Sequence, residues 1–354
     1  MLRQLARLTR PIPSAGPGAL AVAVYADGSD ETIAARESGF EGVACVDDAA
    51  RLLGLLCRVW DREPSPQIED WARGVLEFVL WMQEPDGRWV NFVYDWDGRR
   101  NHQGLTSSVG QNFWHARALC ALGRAGFAFG DDRAELALER GLEHLVTTEA
   151  PSDVRALHLE VCLLLIDRAG RSDLEPVVRR WAHEIAACER DGILMNNPDE
   201  RDAPHLWAHV QEGVLADAGT RLGEPALVDA ARRSAESLLE PIVEGGFDRL
   251  SVTPYDVTST VFSLDRLAAA TGEERWTALA QDARAWFDGR NTAGAPVYDR
   301  ARGRVADGID KGRISENSGA EANIEAGGAL LDAAAESASL LAGLLPPPDR
   351  IGPV

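Results

Sequence analysis

Two adjacent carboxylates are the clearest candidates for chemistry in the sequence. Asp47 and Asp48 precede an apolar stretch with helical spacing, and only one of them can take the helix-capping position. The other carboxylate is then available as an acid or a base. Repulsion between neighbouring carboxylates favours the protonated form of one of them, as a general acid requires. Asp256 and Glu316 begin later helices and are candidates for the opposing catalytic partner.

Hydrogen-bonding and aromatic side chains recur near the beginnings of the same alternate helices. Amide, imidazole and carboxylate groups bind sugar hydroxyls, and a flat indole stacks on a sugar ring. The candidate substrate-binding residues are Arg51, Trp96, Asn112, Trp114, His115, His209, Tyr255, Asn317 and Glu321. Gln111, Trp89 and Trp207 lie beside them in the chain. Ordinary helix capping is the alternative for each acid taken singly.

Sequence motifs for metals and cofactors do not occur in a usable context. His205 and His209 are four residues apart, but the segment between them lacks the glutamate of the HExxH zinc motif. The Asp47–Asp48 pair has no later acid at the spacing of a magnesium-binding terpene synthase motif. No GxSxG, GxxxxGK[ST] or GxGxxG motif occurs in a usable context, so a serine hydrolase and a nucleotide-binding protein lack support. We therefore expect neither a metal nor a cofactor.

Composition narrows the class of protein further. The 354 residues are 45% hydrophobic, and a net charge of −20 disfavours binding to nucleic acid. No apolar run approaches the roughly 20 residues that span a bilayer, and the N-terminal segment does not resemble a signal peptide. The five cysteines are scattered without CxxC spacing. These features predict a soluble, cytoplasmic protein with reduced thiols.

Helical periodicity alternates with short turn-rich segments along most of the chain. The expected helices are 47–62, 66–83, 110–130, 131–148, 152–169, 174–190, 204–222, 224–239, 255–271, 273–287 and 316–344. Alternate helices give six hairpin starts, which favours a closed (α/α)6 toroid over an open solenoid of helix pairs. The toroid is expected at 39–344, with a partly irregular extension at 1–38 and a tail at 345–354. A β-hairpin is expected at 87–98, and a long loop at 291–314.

Three motifs carry a resemblance to a known group of proteins. They are EGVACVDDAAR at 41–51, HARALCALG at 115–123 and NSGAE at 317–321. Their order and spacing resemble the α/α-toroid domains found alone or fused behind bacterial glycosyltransferases, which are similar to the six-hairpin glycosidase superfamily. The resemblance covers residues 39–341. It implies carbohydrate chemistry and a functional association with a glycosyltransferase, but it does not name the reaction, because the same architecture also serves sugar epimerases, lyases and prenyltransferases. For a glycosidase of this kind, the resemblance implies the inverting course.

The chain departs from the resembling domains before its second motif. Those domains carry an acid and a serine there, whereas this chain has Asn112, Phe113 and Trp114, so no catalytic role is transferred to these positions. The leading hypothesis is a glycoside hydrolase that cleaves a soluble oligosaccharide with paired carboxylates. One alternative is a sugar epimerase or lyase that uses His115 or His209. Another is a non-catalytic carbohydrate-binding or glycosyltransferase-partner toroid.

Overall fold

The computed structural model describes residues 1–37, 41–110, 112–145, 149–341 and 343–346, and these form two compact units. The first unit comprises residues 1–148, 298–307 and 316–354, and the second comprises residues 149–297 and 308–315. The expected division into residues 1–38, 39–344 and 345–354 stays a prediction. Its first boundary and most of its tail lie outside the described residues.

Helices dominate both units. In chain order they are α1 (Leu2–Leu8), α2 (Val46–Arg62), α3 (Pro66–Trp81), α4 (Phe113–Phe129), α5 (Asp132–Leu145), α6 (Ser152–Ala169), α7 (Glu175–Ala186), α8 (Gln211–Leu222), α9 (Pro225–Ser234), α10 (Glu240–Glu244), α11 (Pro254–Thr271), α12 (Glu274–Arg284), α13 (Ala320–Ala329) and α14 (Leu331–Ser337). A π-helical turn at Ala235–Leu239 joins α9 to α10.

The strands are short and pair in groups of two or three. In chain order they are β1 (Thr9–Pro11), β2 (Leu20–Val22), β3 (Tyr25–Ala26), β4 (Thr32–Ile33), β5 (Ala44–Cys45), β6 (Phe92–Val93), β7 (Glu189–Arg190), β8 (Ile193–Leu194), β9 (Ser251–Val252), β10 (Tyr298–Asp299), β11 (Arg304–Val305), β12 (Ile309–Asp310) and β13 (Arg313–Ile314). The antiparallel pairs are β1–β2, β3–β4, β5–β6, β7–β8 and β10–β11, and β12 lies between β9 and β13.

In the first unit, α2 is the central helix and packs against α3, α4, α13 and α14. Its apolar side chains recur at helical spacing, and those at Leu52, Leu53 and Leu56 are fully buried. Ser65 caps α3, since its Oγ accepts a hydrogen bond from the Ile68 backbone N–H at 3.3 Å. The consecutive helices α2 and α3 pack together, as do α4 and α5, and each pair forms a helix hairpin.

The expected β-hairpin is present as a tight turn beside β6. The Gly98 N–H donates to the Asp95 carbonyl at 3.0 Å, and the Tyr94 N–H donates to the Arg99 carbonyl at 2.7 Å. On its other side, β6 pairs with β5, with Cys45 opposite Phe92. This pairing positions the chain immediately before α2.

In the second unit, α8 packs against α6, α7, α9 and α11, and α11 packs against α12. The helix pairs α6–α7, α8–α9 and α11–α12 repeat the hairpin arrangement of the first unit. The observed bounds of α6 are those expected from the sequence, 152–169.

Two expected helices begin at least four residues later than the sequence pattern indicates. The segment expected at 204–222 becomes helical only at Gln211, because Ala208 has a left-handed backbone with φ of 56°. A right-handed helix cannot include such a residue. The segment expected at 316–344 begins at Ala320 and is interrupted at Leu330, which has φ of −114° and ψ of 48°.

Tryptophan side chains fill the cores. Trp71, Trp89, Trp181, Trp276 and Trp286 are each less than 2% exposed. Each such ring buries roughly 150–250 Å² and so contributes strongly to the hydrophobic stabilisation of its unit.

None of the described helices is both long enough and apolar enough to cross a membrane. All five cysteines belong to the described residues and none of them forms a disulfide bond; Cys45, Cys57 and Cys162 are buried.

Candidate active site

The beginning of α2 places two carboxylates side by side without using either as the helix cap. The Asp48 backbone N–H donates to Cys45 Sγ at 3.4 Å, and the Asp47 backbone N–H donates to Asn91 Oδ1 at 3.0 Å. Cys45 therefore takes the N-cap position that the sequence pattern suggested for one aspartate. Because these backbone donors are satisfied by other groups, both carboxylates are available to bind arginine.

Arg51 lies one turn further along α2 and gathers four carboxylates. Its Nη2 atom contacts Asp47 Oδ2 at 3.2 Å and Asp48 Oδ1 at 2.6 Å. The same Nη2 contacts Glu321 Oε2 at 3.0 Å, whereas Nη1 contacts Glu325 Oε1 at 2.8 Å. The spacing explains the geometry, because residues three and four apart lie on one helix face, as do Glu321 and Glu325 on α13.

Arg117 on α4 adds a second guanidinium, whose Nη1 contacts Asp47 Oδ2. We call these residues the arginine–carboxylate cluster: Asp47, Asp48, Arg51, Arg117, Glu321 and Glu325. Within the cluster, four carboxylates face two guanidinium groups, so full ionisation would leave a net negative charge. The side chains of Asp48, Arg51 and Glu325 are no more than 10% exposed, so water screens that charge poorly.

Burial is the largest influence on the pKa of each buried carboxylate in the cluster. For Asp48, burial and the charges of Glu321 and Asp47 outweigh Arg51 and raise the pKa to about 7. For Glu325, burial and the charge of Glu321 also raise the pKa. Asp47 differs, because Arg117 and Arg51 outweigh its burial and hold its pKa below the ordinary value. The cluster therefore retains a proton near neutral pH.

Asp307, in the segment between β11 and β12, is a further carboxylate that contacts the beginning of α13. Its Oδ1 accepts a hydrogen bond from the Gly319 N–H at 2.6 Å, and its own N–H donates to the Asn317 carbonyl at 3.0 Å. Burial and the charge of Glu321 raise the pKa of Asp307 to about 6, although Gly319 and Arg304 oppose the rise. The Glu321 side chain is 44% exposed. The beginning of α13 thus presents one carboxylate that titrates near neutrality and one that faces solvent.

Tyr25 adds a phenol to the same region. Burial, a hydrogen bond with Glu37 and the charges of Asp48 and Glu321 raise the pKa of the Tyr25 hydroxyl. The hydroxyl therefore stays protonated at neutral pH and can donate a hydrogen bond. Tyr25 is half-buried and packs on Val24, Ala35, Cys45 and Phe92.

Four residues of this region were absent from the sequence-based candidates: Tyr25, Arg117, Asp307 and Glu325. The sequence could have indicated two of them, because Glu325 lies four residues after Glu321 on the same helix face and Arg117 belongs to the HAR motif. For Asp307, the only indication in the sequence is its position in the long polar loop, because its hydrogen bond with Gly319 is a tertiary contact. Tyr25 lies far from every motif in the chain.

The aromatic and imidazole candidates of α4 lie in the core of the first unit. Trp114 is 8% exposed, and its Nε1 donates to the Trp89 carbonyl at 3.0 Å. His115 is fully buried, and its Nε2 lies 3.0 Å from the Gly141 carbonyl of α5. Burial lowers the pKa of His115 to about 4, so the ring is neutral at pH 7. Asn112 is the N-cap residue of α4 and makes no side-chain capping bond; its neighbour Gln111 lies outside the described residues.

The remaining candidates of the first unit are more accessible. Trp96 is half-buried in the turn beside β6. Glu316 and Asn317 are exposed in the segment before α13, where the Glu316 carbonyl accepts a hydrogen bond from Arg304 Nη2 at 2.7 Å. Arg51 and Glu321 belong to the arginine–carboxylate cluster, as described above.

The second unit contains His209, Tyr255 and Asp256. His209 is 1% exposed, with Nδ1 2.6 Å from Asn196 Oδ1 and Nε2 3.0 Å from Glu212 Oε1. Asp256 forms a capping box at the start of α11, since its Oδ2 accepts from the Thr253 N–H at 2.7 Å. Tyr255 is 8% exposed.

Among the described residues, no group of three or more His, Cys, Asp or Glu side chains has the arrangement of a metal site. The cluster carboxylates are directed at guanidinium groups. A carboxylic acid and a carboxylate placed side by side are groups that can transfer protons.

No family model matches the chain, and no curated protein matches it. Solved structures do match. A sugar epimerase from a ruminal bacterium aligns with a TM-score of 0.71 and 11% identity, over 95% of this chain and 96% of that one. A cellobiose 2-epimerase from Bacillus thermoamylovorans aligns with a TM-score of 0.72 and 10% identity, over 94% of this chain and 96% of that one. The fold is an (α/α)6 toroid.

The toroid fold is shared with hydrolases as well. The GH76 α-mannanase BT2949 from Bacteroides thetaiotaomicron aligns with a TM-score of 0.60 and 11% identity, over 84% of this chain and 88% of that one. The resemblance to the six-hairpin glycosidase superfamily is therefore confirmed at the level of the fold. Because this fold hosts several reactions, the reaction has to be argued from the residues of the site.

Proposed function

We propose that the protein is a carbohydrate-active enzyme, a glycoside hydrolase that cleaves a soluble oligosaccharide. The observation that supports this most is the pair of carboxylates at the beginning of α13. Asp307 has a pKa raised to about 6, and Glu321 is 44% exposed and bound to Arg51. Glycosidic cleavage needs one carboxylic acid and one carboxylate, and their environments have to separate the two pKa values.

In the proposed reaction, Asp307 is the general acid and donates its proton to the glycosidic oxygen as the bond to the anomeric carbon breaks. Water adds its hydroxyl to that carbon, and Glu321 accepts the remaining proton. The contact of Arg51 Nη2 with Glu321 Oε2 at 3.0 Å holds the Glu321 carboxyl group in place for this role. Exchange with solvent returns both carboxyl groups to their starting states. This is the inverting course, for which carboxyl groups are typically about 6.5–9.5 Å apart.

The sequence-derived catalytic candidates remain part of the proposal. Asp48 retains a proton near neutral pH but has a side chain only 3% exposed, so its proposed role is to set the charge next to Glu321. Asp47 binds Arg51 and Arg117 and keeps both arginines in place. Glu316 is exposed and is the alternative base. For Asp256, the hydrogen bonds within its capping box support a structural role.

Epimerisation is the second candidate reaction. The sequence-based histidine candidates, His115 and His209, are both buried, but His205 has a side chain 31% exposed with Nε2 3.5 Å from Asp153 Oδ2. Such an imidazole–carboxylate pair can move a proton at a sugar carbon. Epimerisation would exchange a C–H hydrogen with solvent deuterium and release no shorter sugar. Hydrolysis would release a shorter sugar and exchange no C–H hydrogen.

The experiment begins with a melting-temperature screen of the protein against neutral oligosaccharides, because a bound ligand raises stability by mass action. Turnover of each hit is then followed by NMR, which reports the anomer of a released sugar and any deuterium incorporated at carbon. Asp307→Asn and Glu321→Gln should each lower kcat by roughly two to four orders of magnitude. Asp47→Asn, Asp48→Asn, Asp256→Asn and Glu316→Gln complete the set.

Asp97→Asn is the matched control, since Asp97 is an exposed carboxylate in the turn beside β6. It should leave kcat unchanged. If Asp307→Asn and Glu321→Gln both keep wild-type kcat, the proposed pair is refuted. If the wild-type protein binds a sugar and never converts it, the non-catalytic binding alternative replaces the hydrolase.

A further inference from the structure

Trp207, in the segment before α8, is the exposed exception among the tryptophans of the second unit. It is 41% exposed, whereas Trp181, Trp276 and Trp286 are 1% exposed or less. His205 stacks on its indole, with ring centroids 3.8 Å apart and planes at 7°. The ring centroid of Tyr255 lies 6.4 Å from that of Trp207, and the two ring planes make an angle of 46°. The indole therefore presents surface to solvent while two aromatic neighbours restrict its motion.

Backbone and side-chain contacts fix the imidazole that supports this indole. His205 Nδ1 donates to the Trp207 carbonyl at 2.9 Å, and the His205 carbonyl accepts from Asn196 Nδ2 at 2.9 Å. The left-handed Ala208, with φ of 56°, then reverses the chain direction. As a result Trp207 faces outward and the following His209 is buried. A left-handed backbone is unfavourable for alanine, so the contacts around this turn have to hold it in place.

A cleft of about 400 Å³ opens beside His205, within the range of about 300–1,000 Å³ that is usual for small-molecule sites. Its polar lining consists of Asp153, Asn196, Asn197, Asp199, Glu200 and His205. Asn196 is held in place, because its Oδ1 accepts from Gln211 Nε2 at 2.8 Å and lies 2.6 Å from His209 Nδ1. The cleft thus combines prearranged polar groups with an adjacent aromatic surface.

The chemistry of this lining defines the ligand. Amide and carboxylate groups bind hydroxyls, and an indole packs on the apolar face of a sugar ring. The described residues that line the cleft include three carboxylates and neither lysine nor arginine, so an anionic sugar would be repelled. We infer that Trp207 and this cleft form a binding subsite of the second unit for an uncharged sugar residue of an oligosaccharide. For the class of ligand, this inference rests on the proposed function.

Isothermal titration calorimetry of the full-length chain tests the subsite with three probes: cellotetraose, mannotetraose and tetragalacturonate. The Asp307→Asn background prevents turnover during the titration. At least one neutral probe should bind, and Trp207→Ala should raise its Kd by about tenfold or more, because the stacking surface is lost. Trp207→Phe should restore part of the affinity. Tetragalacturonate should not bind.

Two control variants separate the subsite from general effects. Leu250→Ala removes another exposed apolar side chain of the second unit, which is 77% exposed, and should leave the Kd unchanged. The double variant Asp199→Asn, Glu200→Gln should weaken the exclusion of tetragalacturonate, because two of the cleft's negative charges are removed.

The inference is overturned if Trp207→Ala binds the neutral probe with the wild-type Kd, if tetragalacturonate binds as tightly as that probe, or if neither neutral probe binds. Its failure is distinguishable from failure of the proposed hydrolase. Trp207-dependent binding without turnover in wild-type protein refutes the hydrolase and retains the subsite. Turnover by the wild-type protein, together with an unchanged Kd in Trp207→Ala, refutes the subsite and retains the hydrolase.

Discussion

Replacing Asp48 with Asn should remove a pH-dependent loss of stability. Burial, with the charges of Glu321 and Asp47, raises the pKa of Asp48 from 3.8 to about 7 in the folded protein, whereas the unfolded chain keeps the ordinary value. The folded protein therefore binds this proton more tightly than the unfolded chain does. The resulting stabilisation is fully present below about pH 4 and is lost as the pH rises through about 7.

The size of the effect follows from the same two pKa values. Each pKa unit corresponds to about 1.4 kcal/mol, so a rise from 3.8 to about 7 amounts to about 4 kcal/mol when Asp48 is fully ionised. The free energy of unfolding of Asp48→Asn minus that of the wild type should thus increase by about 4 kcal/mol between about pH 4 and about pH 8. Loss of the 2.6 Å contact with Arg51 shifts the free energy of unfolding of the variant at every pH. The change of the difference with pH still reports the proton bound to Asp48 in the wild type.

The assay is urea unfolding followed by circular dichroism at several pH values across this range. Asp97→Asn, which removes an exposed carboxylate, should give a curve parallel to that of the wild type. If the difference between Asp48→Asn and the wild type stays constant within about 1 kcal/mol, Asp48 does not retain the proton, and the electrostatic reasoning about the cluster is wrong.

Three other substitutions test separate parts of the structure. Gly319→Leu should misfold, because a Cβ there would lie 2.6 Å from the Val24 carbonyl oxygen. A soluble variant with a wild-type melting temperature would contradict the close packing at Gly319. Trp96→Ala should weaken sugar binding in calorimetry with a nearly unchanged melting temperature, since Trp96 is half-buried in a turn; a large loss of stability would show a core role. Ala208→Gly should keep or raise the melting temperature because φ is 56°; a clear decrease would mean that this backbone is not strained.

The helical repeat was predictable because each helix carries its own periodic signal. The apolar face of α2 and the bounds of α6 follow from residues that are close in sequence. Helix beginnings were less predictable where a single backbone conformation decides them. The left-handed Ala208 delays α8, and no property of alanine in the sequence indicates a positive φ.

The candidate site was predictable where its residues recur at helical spacing. Asp47, Asp48 and Arg51 lie within one turn of α2, and Glu321 begins the last long helix of the first unit. Asp307 was not predictable, because a tertiary hydrogen bond to Gly319 brings it to that helix. His115 shows the opposite case: it lies near a helix beginning, yet the packing of α4 on α5 directs its ring into the core.

The imbalance of charge in the arginine–carboxylate cluster favours the proposed catalytic role over a purely structural one. A cluster that served only to join α2, α4 and α13 would be most stable with matched charges, because an uncompensated buried charge destabilises the fold. Here four carboxylates meet two guanidinium groups, and burial raises the pKa of Asp48 to about 7. Asp307 adds a fifth carboxylate, whose pKa burial and the charge of Glu321 raise to about 6. A carboxyl group that keeps its proton near neutral pH is typical of catalytic sites, and this supports the acid–base role that we propose.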